Sequence, residues 1–405
     1  MNLKILLIVL DGLGDRPIKQ LGNKTPLETA KTPNLDKLAE KGICGLVLPN
    51  FLTAIPTSEE GHLSLFGYNP KIYPIRRGFF TAAGAGMKMK KGDVALRGNF
   101  GTVDKNLNMI DRRAGRIKEV QPLINSLNGI IIDGVKFLLK AAGGHRVGII
   151  MRGKNLSSEI SDGDPHYGKL GKNVRKIKPL SKNSKAVFTA KALNNFLEKA
   201  RLVLKNHSLN KKRKKQGLPP ANYILTRGAS SLVKLPSFKK KYGLKSCCIA
   251  GKVLYKQIGK TLGMKLIKVK GADGSAKTNL KGKIQAAKDA LKKYDFIFLH
   301  IKATDSLAED GNFKGKKEFI EKIDKNLKPI SGFKNTLIVV TADHSTCCNL
   351  KRHCKEPIPL LVYGAEKNSV KEFSERACLK GKIGKIKQLN LMAKIIKLAK
   401  HGSFT

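Results

Sequence analysis

Three times this chain writes an apolar run of strand length and then stops it at an acidic residue. The first run, Leu3 to Leu10, ends at Asp11-Gly12. The second, Phe296 to Ile301, ends near Asp305, and the third, Thr336 to Thr341, ends at Asp343-His344. Runs this apolar suit strands buried on both faces of a sheet. Open α/β sheets place their chemistry just past the C-terminal ends of such strands. Helical spacing lies between the runs. Pro33 to Lys41 puts Leu35, Leu38 and Ala39 on one face, with Thr32 as the expected N-cap and Pro33 at the first helical position. Lys316 to Leu327 has the same spacing, and Ile358 to Tyr363 reads as a further buried strand. The alternation predicts an α/β fold, a mostly parallel sheet flanked by helices.

The middle of the chain has another texture. Residues from about 75 to 185 are rich in Gly and Arg, with short runs such as Val147 to Met151. They read as an inserted α+β domain, residues 75–185, within a discontinuous core formed by residues 1–74 and 186–405. Residues 200–222, with the cluster Lys211, Lys212, Arg213, Lys214 and Lys215 followed by Pro219-Pro220, read as a loop or linker.

Charge narrows the class of partner. The net charge is +49, from 79 basic and 30 acidic residues, and the lysines are spread along the whole chain. With no Trp and only 6% aromatic residues, the interleaving of aromatic and basic side chains used by single-strand binders is missing, which argues against nucleic acid. A field this positive attracts small anionic substrates. The first apolar run is too short for the core of a signal peptide or for a membrane span, so no membrane partner is expected. Seven cysteines occur, with two vicinal pairs, Cys247-Cys248 and Cys347-Cys348, and no C-x-x-C. The odd count and the absence of a framework spacing predict reduced thiols and a cytoplasmic protein.

The chemistry-bearing residues form one set. Asp11 comes early. Ser58 and His62 stand in Thr57-Ser58-Glu59-Glu60-Gly61-His62, Asp305 follows the second run, Asp343-His344 the third, and His353 lies nine residues after His344. Each alone has an ordinary structural explanation, such as a cap or turn residue. Together they are a mixed Asp/His set suited to borderline divalent ions. Two such ions can clamp the attacking and leaving oxygens of a phosphoryl transfer.

The strings around them are distinctive. Val9 to Pro17 (Val-Leu-Asp-Gly-Leu-Gly-Asp-Arg-Pro), Lys24 to Glu28, Lys31 to Asn34, Gly92 to Arg97, Asp111 to Arg116, Asp164-Pro165-His166, Arg227 to Ala229, Leu254 to Lys256 and Thr341 to Thr346 run in collinear order over nearly the whole chain. In them the chain resembles the archaeal-type cofactor-independent phosphoglycerate mutases of the alkaline phosphatase superfamily. The Ser58 string also resembles the Ser-Glu-Val-Gly-His of the other cofactor-independent branch. The resemblance implies an alkaline-phosphatase-like core with an inserted cap. It implies two divalent metal ions, with Mn²⁺ expected and Mg²⁺, Zn²⁺ or Co²⁺ as alternatives, and no need for 2,3-bisphosphoglycerate. One ion would be held by Asp11, Ser58, Asp343 and His344, the other by Asp305, residue 309 and His353.

The substrate implied is a small phosphorylated anion, 3-phosphoglycerate, passed to 2-phosphoglycerate through a phosphoserine at Ser58, with His62 contacting substrate. Arg77, Arg97 and Arg113 are the expected carboxylate and phosphate clamps, Lys256 a point charge near the phosphoryl group, and Asp164 and His166 the proton-transfer groups. The chain departs from the family pattern at one string. Where that pattern reads Thr-Asp-Glu-Ala-Gly-His-Asp-Gly, this chain reads Thr304-Asp305-Ser306-Leu307-Ala308-Glu309-Asp310-Gly311. A ligand His has become Glu309, which suits Mn²⁺ or Mg²⁺. Arg76 and Phe79 also alter the Gly-Arg-Gly-Pro string around Arg77, and Glu59 replaces an Asp beside Ser58. A homoserine kinase-like or phosphatase relative on the same scaffold, and a basic binding protein on a weakened enzyme scaffold, are the alternative readings. The sequence carries no signal of oligomeric state.

Overall fold

The computed structural model describes residues 3–50, 57–165, 173–367 and 370–401. His166 lies outside the described residues. The chain divides into two compact units, residues 1–73 with 235–405, and residues 74–234.

The first unit is built on an eight-stranded sheet. Its strands, in spatial order, are Lys265–Leu266, Ser246–Ile249, Phe296–Ile301, Lys4–Leu10, Thr336–Thr341, Ile358–Tyr363, Ile43–Leu48 and Gly384–Lys387. Every strand but Ile358–Tyr363 runs the same way. The three acid-terminated runs are therefore neighbours at the centre. Leu10 pairs with Ile301 on one side, and Val9 pairs with Thr341 on the other. Apart from the half-buried Lys4, their side chains are buried, which is why each reads as an apolar run rather than an alternating one. Because the strands are parallel and in register, their C-terminal ends meet at one edge of the sheet. Helices Pro33–Glu40 and Phe313–Leu327 form as their spacing predicts. Thr32 takes the N-cap position, but its hydroxyl bonds the Asp36 carboxylate at 3.3 Å instead of a backbone N–H.

The second unit has its own six-stranded sheet, with Val94–Val103 paired to Arg146–Arg152, Tyr223–Ser231 and Met109–Asp111. Its boundary differs from the expected one. Residues 186–234 belong here, because the helix Ser184–Asn206 buries Ala190, Leu193, Phe196 and Leu197 in the same core as Phe137 and Ile149. The Phe137 and Phe196 rings stack 4.0 Å apart. The expected linker at 200–222 is also corrected. It is the end of that helix and a second one, Ser208–Lys215, whose Lys and Arg side chains flank a buried Asn210. Asn210 bonds both Leu204 O at 2.8 Å and Ala221 N at 2.7 Å, so one internal amide holds a segment whose charge resembles a loop.

The reading of all cysteines as reduced thiols is corrected too. The antiparallel hairpin Ser345–Cys347/Arg352–Cys354 brings Cys347 and Cys354 to a Cα–Cα distance of 5.9 Å, and they form a disulfide. A seven-residue separation carries no such signal until the hairpin is known. Cys44, Cys247, Cys248, Cys348 and Cys378 are free and buried. Among the described residues, no helix is long and apolar enough to cross a membrane.

Candidate metal centre

Asp11 leaves the first central strand with its N–H bonded to Ile301 O of the neighbouring strand at 2.9 Å. Gly12 follows with φ +67, and a Cβ there would stand 2.4 Å from Thr346 Oγ1 and 2.7 Å from Asp305 Cβ. The chain turns here through a space that only glycine fits, and the turn brings Asp11 and Asp305 together. Asp305 sits in the first turn of the helix Ala303–Glu309, and Asp343 and His344 follow the third strand. His353 lies on the hairpin, across from Thr346. Asp11, Asp305, Asp343 and His344 are all fully buried.

The contacts among them form a continuous cluster. His344 Nε2 is 3.7 Å from Asp11 Oδ1 and 3.2 Å from Asp343 Oδ2. His353 Nε2 is 3.2 Å from Asp305 Oδ1 and 3.8 Å from Glu309 Oε1. The His344 and His353 rings stack with centroids 3.7 Å apart. Thr346 Oγ1 donates to Asp305 Oδ1 at 2.6 Å. Among the described residues three sets of ligand atoms converge: Asp11 with Asp343 and His344, Asp305 with His344 and His353, and Asp11 with His62 and His300. The first holds three of the four residues expected for one ion, Ser58 being the fourth. In the second, His344 joins Asp305 and His353, while Glu309 stands at its rim.

Ser58 is the first residue of the helix Ser58–Leu65 and is buried. The N-cap is Thr57, whose side chain accepts from Glu60 N, so Ser58 is not spent on capping. A Cβ on Gly61 would come within 2.6 Å of Asp343 O, so glycine lets the helix lie directly on the third acidic turn. One turn on, His62 Nδ1 lies 2.7 Å from Ser58 O and 3.1 Å from Asp343 Oδ2.

Charge decides what this pocket can hold. Asp11, Asp305 and Asp343 are three buried carboxylates, and the ammonium of Lys302 bridges two of them, Asp11 Oδ1 at 3.1 Å and Asp305 Oδ2. Burial alone would lift the Asp305 pKa, but Lys302 and His353 reverse that and hold it well below the usual carboxylate range. Burial would lower His353, yet Asp305 raises it to about 9. Burial keeps His300 and His344 at about 4, so both are neutral imidazoles with lone pairs to offer. Buried His344 Nε2, His62 Nε2 and both Asp343 oxygens have no aligned hydrogen-bond partner. Orphaned buried acceptors are costly, and surplus anionic oxygen beside neutral imidazole is the donor chemistry of a divalent cation site. The residues present fit such an ion.

Sequence reasoning passed over three members of this cluster. His300 Nε2 lies 2.8 Å from Asp11 Oδ2, with its ring stacked 3.6 Å from Tyr255. Thr304 Oγ1 bonds Asp11 O. Lys302, not Lys256, is the ammonium that reaches the acids. Lys256 is half-buried on the helix Val253–Thr261, near Cys248 and Lys283. The available signal was a His and a Lys two residues apart at the end of an otherwise apolar strand, where burial without a partner is rare.

The remaining expected residues lie in the second unit. Arg77 begins the helix Arg77–Gly84. Arg97 lies on the strand Val94–Val103, opposite Gly148 and Arg227. Arg113 follows Asp111, whose Oδ1 accepts its N–H at 2.7 Å. Asp164 is fully buried and takes Arg112 in a fork, Nε to Oδ1 at 2.8 Å and the terminal nitrogen to Oδ2 at 2.5 Å. Both Asp164 oxygens are thus engaged by one guanidinium.

Residues 3–398 match the metalloenzyme superfamily. A protein of Methanocaldococcus jannaschii named 2,3-bisphosphoglycerate-independent phosphoglycerate mutase 1 is 42% identical over 402 residues, 98% of this chain and 97% of that one. A Saccharolobus islandicus protein named 2,3-bisphosphoglycerate-independent phosphoglycerate mutase is 42% identical over 389 residues, 94% of each chain. Among solved structures, the cofactor-independent phosphoglycerate mutase of Thermoplasma acidophilum aligns with a TM-score of 0.68 at 35% identity, covering 98% of this chain and 100% of that one. A Pyrococcus horikoshii protein aligns with a TM-score of 0.82 at 33% identity, covering 100% and 99%.

Proposed function

Because this chain belongs to the metalloenzyme superfamily, and within it to the 2,3-bisphosphoglycerate-independent phosphoglycerate mutases, we propose that it interconverts 3-phosphoglycerate and 2-phosphoglycerate through a phosphoserine at Ser58. The observation that carries the reading is the convergence of Asp11, Asp305 and Asp343-His344 at the ends of three adjacent parallel strands, with the Ser58 helix lying on Asp343. A phosphoryl dianion entering among three buried carboxylates needs more positive charge than Lys302 and a protonated His353 provide.

Asp11, Asp343 and His344, with Ser58, are the proposed holders of one divalent ion, and Asp305, His353 and Glu309 of the other. Bound there, divalent ions would activate the Ser58 hydroxyl and neutralise phosphoryl oxygens. Ser58 Oγ then bonds phosphorus as the bond from phosphorus to the glycerate 3-oxygen breaks. The serine gives up its proton, and the leaving oxygen takes one. In the second half the glycerate 2-hydroxyl loses its proton and bonds phosphorus as the bond from phosphorus to Ser58 Oγ breaks, and Ser58 takes its proton back. The two displacements sum to an isomerisation with nothing consumed. Ser58 stands in the first turn of the helix Ser58–Leu65, where the helix dipole favours the negative charge of a phosphoserine. His62 is the proposed substrate contact one turn away. Arg77, Arg97 and Arg113 are the proposed anion clamps, Lys256 an accessory positive charge, and Asp164 and His166 the proton carriers at the glycerate hydroxyls. Mn²⁺ is the proposed ion, since Glu309 adds a hard anionic oxygen.

The alternatives on the same scaffold predict different products. A phosphatase releases inorganic phosphate, a kinase-like relative needs a second acceptor alcohol, and a binding protein turns nothing over. Following 3-phosphoglycerate by phosphorus NMR, with Mn²⁺ and without 2,3-bisphosphoglycerate, separates them.

A further inference from the structure

Lys316 is a fully buried lysine on the helix Phe313–Leu327. Its ammonium has three acceptors, Asp15 Oδ2 at 2.9 Å, Thr346 O at 3.0 Å and Gly14 O at 3.3 Å. Asp15 Oδ1 in turn accepts Cys348 N at 3.1 Å and Arg16 N at 2.8 Å. Thr346 N returns a bond to Gly14 O at 3.0 Å. The loop that leaves the first strand after Asp11 and the hairpin that carries His353 are thus stitched together around one ion pair. The stitch reaches further through the Thr346 side chain, which donates to Asp305 Oδ1 and lies 3.2 Å from His344 Nδ1.

A buried ion pair is a poor source of stability, because desolvation of both charges offsets their attraction, and apolar residues often replace one without loss. Apolar residues cannot, however, bond Thr346 O, Gly14 O and Cys348 N at the same time. What the pair supplies is a fixed spacing. The loop after the first strand presents Asp11, the hairpin presents His353 and follows His344, and Thr346 bonds Asp305. We propose that Lys316 and Asp15 are positioning residues of the metal centre, setting the distance between Asp11 on one side and Asp305, His344 and His353 on the other. The proposal rests on the metal-site reading above. Neither side chain is among the proposed ligands, so their effect runs through Thr346 and the Asp11 loop.

The test is metal affinity at matched stability. The full chain is stripped with chelator, and Mn²⁺ and Co²⁺ binding is measured by calorimetry well below the unfolding midpoint of each variant. Lys316→Met combined with Asp15→Asn removes both charges and leaves neither unpaired. Asp15→Asn alone, which keeps the acceptor oxygen, is the second variant should the double one fold poorly. The control is Asp324→Asn. Asp324 is buried on the same helix as Lys316 and bonds Leu35 N at 2.8 Å and Asn34 Nδ2 at 2.8 Å, both on the helix Pro33–Glu40, which carries no proposed ligand. The proposal expects affinity to fall by about 10- to 100-fold in the Lys316 and Asp15 variants, the range of losses when groups that orient metal ligands are removed. It expects Asp324→Asn to lower the unfolding midpoint while its affinity stays within about twofold of the parent. Affinity near the parent value in a folded Lys316/Asp15 variant, or an equal loss in Asp324→Asn, overturns the positioning role and leaves the metal centre standing. A parent chain that binds neither ion overturns both.

Discussion

His353 Nε2 stands 3.2 Å from Asp305 Oδ1, across a gap of 48 residues in sequence, and the same nitrogen is 3.8 Å from Glu309 Oε1. The family pattern has His at position 309. A carboxylate there adds negative charge to a site that already holds Asp305, and burial followed by Asp305 raises the Glu309 pKa. Glu309 is held in this unfavourable environment at the edge of the ligand set, which is where a cation would relieve it. Glu309→Ala is expected to weaken binding at one of two sites by about 10- to 100-fold. Glu309→His is expected to move the preference from Mn²⁺ toward Zn²⁺ or Co²⁺. Elemental analysis and calorimetry check both. One ion per parent chain, with Glu309→Ala indistinguishable from it, rejects Glu309 as a ligand.

Ser58→Ala is expected to abolish mutase activity and leave the protein folded, since it removes one hydroxyl from the first turn of a helix capped by its neighbour Thr57. Intact-mass measurement of the parent after 3-phosphoglycerate and rapid acid quench is expected to show one added phosphoryl group, absent from the variant. Turnover by a folded Ser58→Ala protein contradicts the phosphoserine route.

Glu375 gives a pH dependence from a group outside the proposed metal ligands. The residue keeps some exposed surface, but its carboxylate is enclosed, accepting from Thr25 Oγ1 at 2.7 Å and Asp15 N at 3.3 Å. Burial raises its pKa from 4.5 to about 7, against the opposing pull of the Thr25 bond. Between those values the native state holds a proton that the unfolded chain has lost, so this contribution to stability falls as pH rises toward 7. The slope is at most about 1.4 kcal/mol per pH unit, the value for one proton. With chelator present throughout, the parent is expected to lose stability relative to Glu375→Gln between pH 5 and pH 7 (about the interval the two pKa values bracket). Parallel denaturation midpoints across that interval contradict the assignment.

The Cys347–Cys354 disulfide is expected to stabilise the hairpin by about 2–3 kcal/mol through loop-closure entropy, the small-loop end of the range. Thiol reductant is then expected to lower the unfolding midpoint of the parent and to leave a Cys347→Ser/Cys354→Ser variant unchanged. An equal shift in both, or in neither, contradicts the pairing.

The parts of this molecule that were legible in sequence are those where a residue's neighbours in the chain determine its place. The three buried strands announced themselves because both of their faces are covered, and the acids that end them were visible as the break in each run. Lys302 and His300 were hidden by the same apolar context, since their role depends on Asp11 and Asp305, which only the parallel register Leu10 to Ile301 brings alongside. The helix Ser208–Lys215 looked like a loop because it is held by polar side chains, Asn210 on Ala221 and Leu204 and Arg213 on Pro219 and Ala114, rather than by any periodic stripe. The disulfide needed the hairpin, and the boundary of the second unit needed the Phe137–Phe196 stack. Each of these is a long-range pairing that no local window contains.

The central claim is metal-dependent phosphoryl movement within one substrate, and a single measurement addresses it. Purified, chelator-stripped protein is given 3-phosphoglycerate, with 2,3-bisphosphoglycerate excluded, and the phosphorus NMR spectrum is followed before and after Mn²⁺ is added. The account predicts no change before the metal, then conversion to 2-phosphoglycerate without inorganic phosphate. Conversion at full rate in the stripped protein, release of inorganic phosphate as the main product, or no reaction with any divalent ion would contradict it.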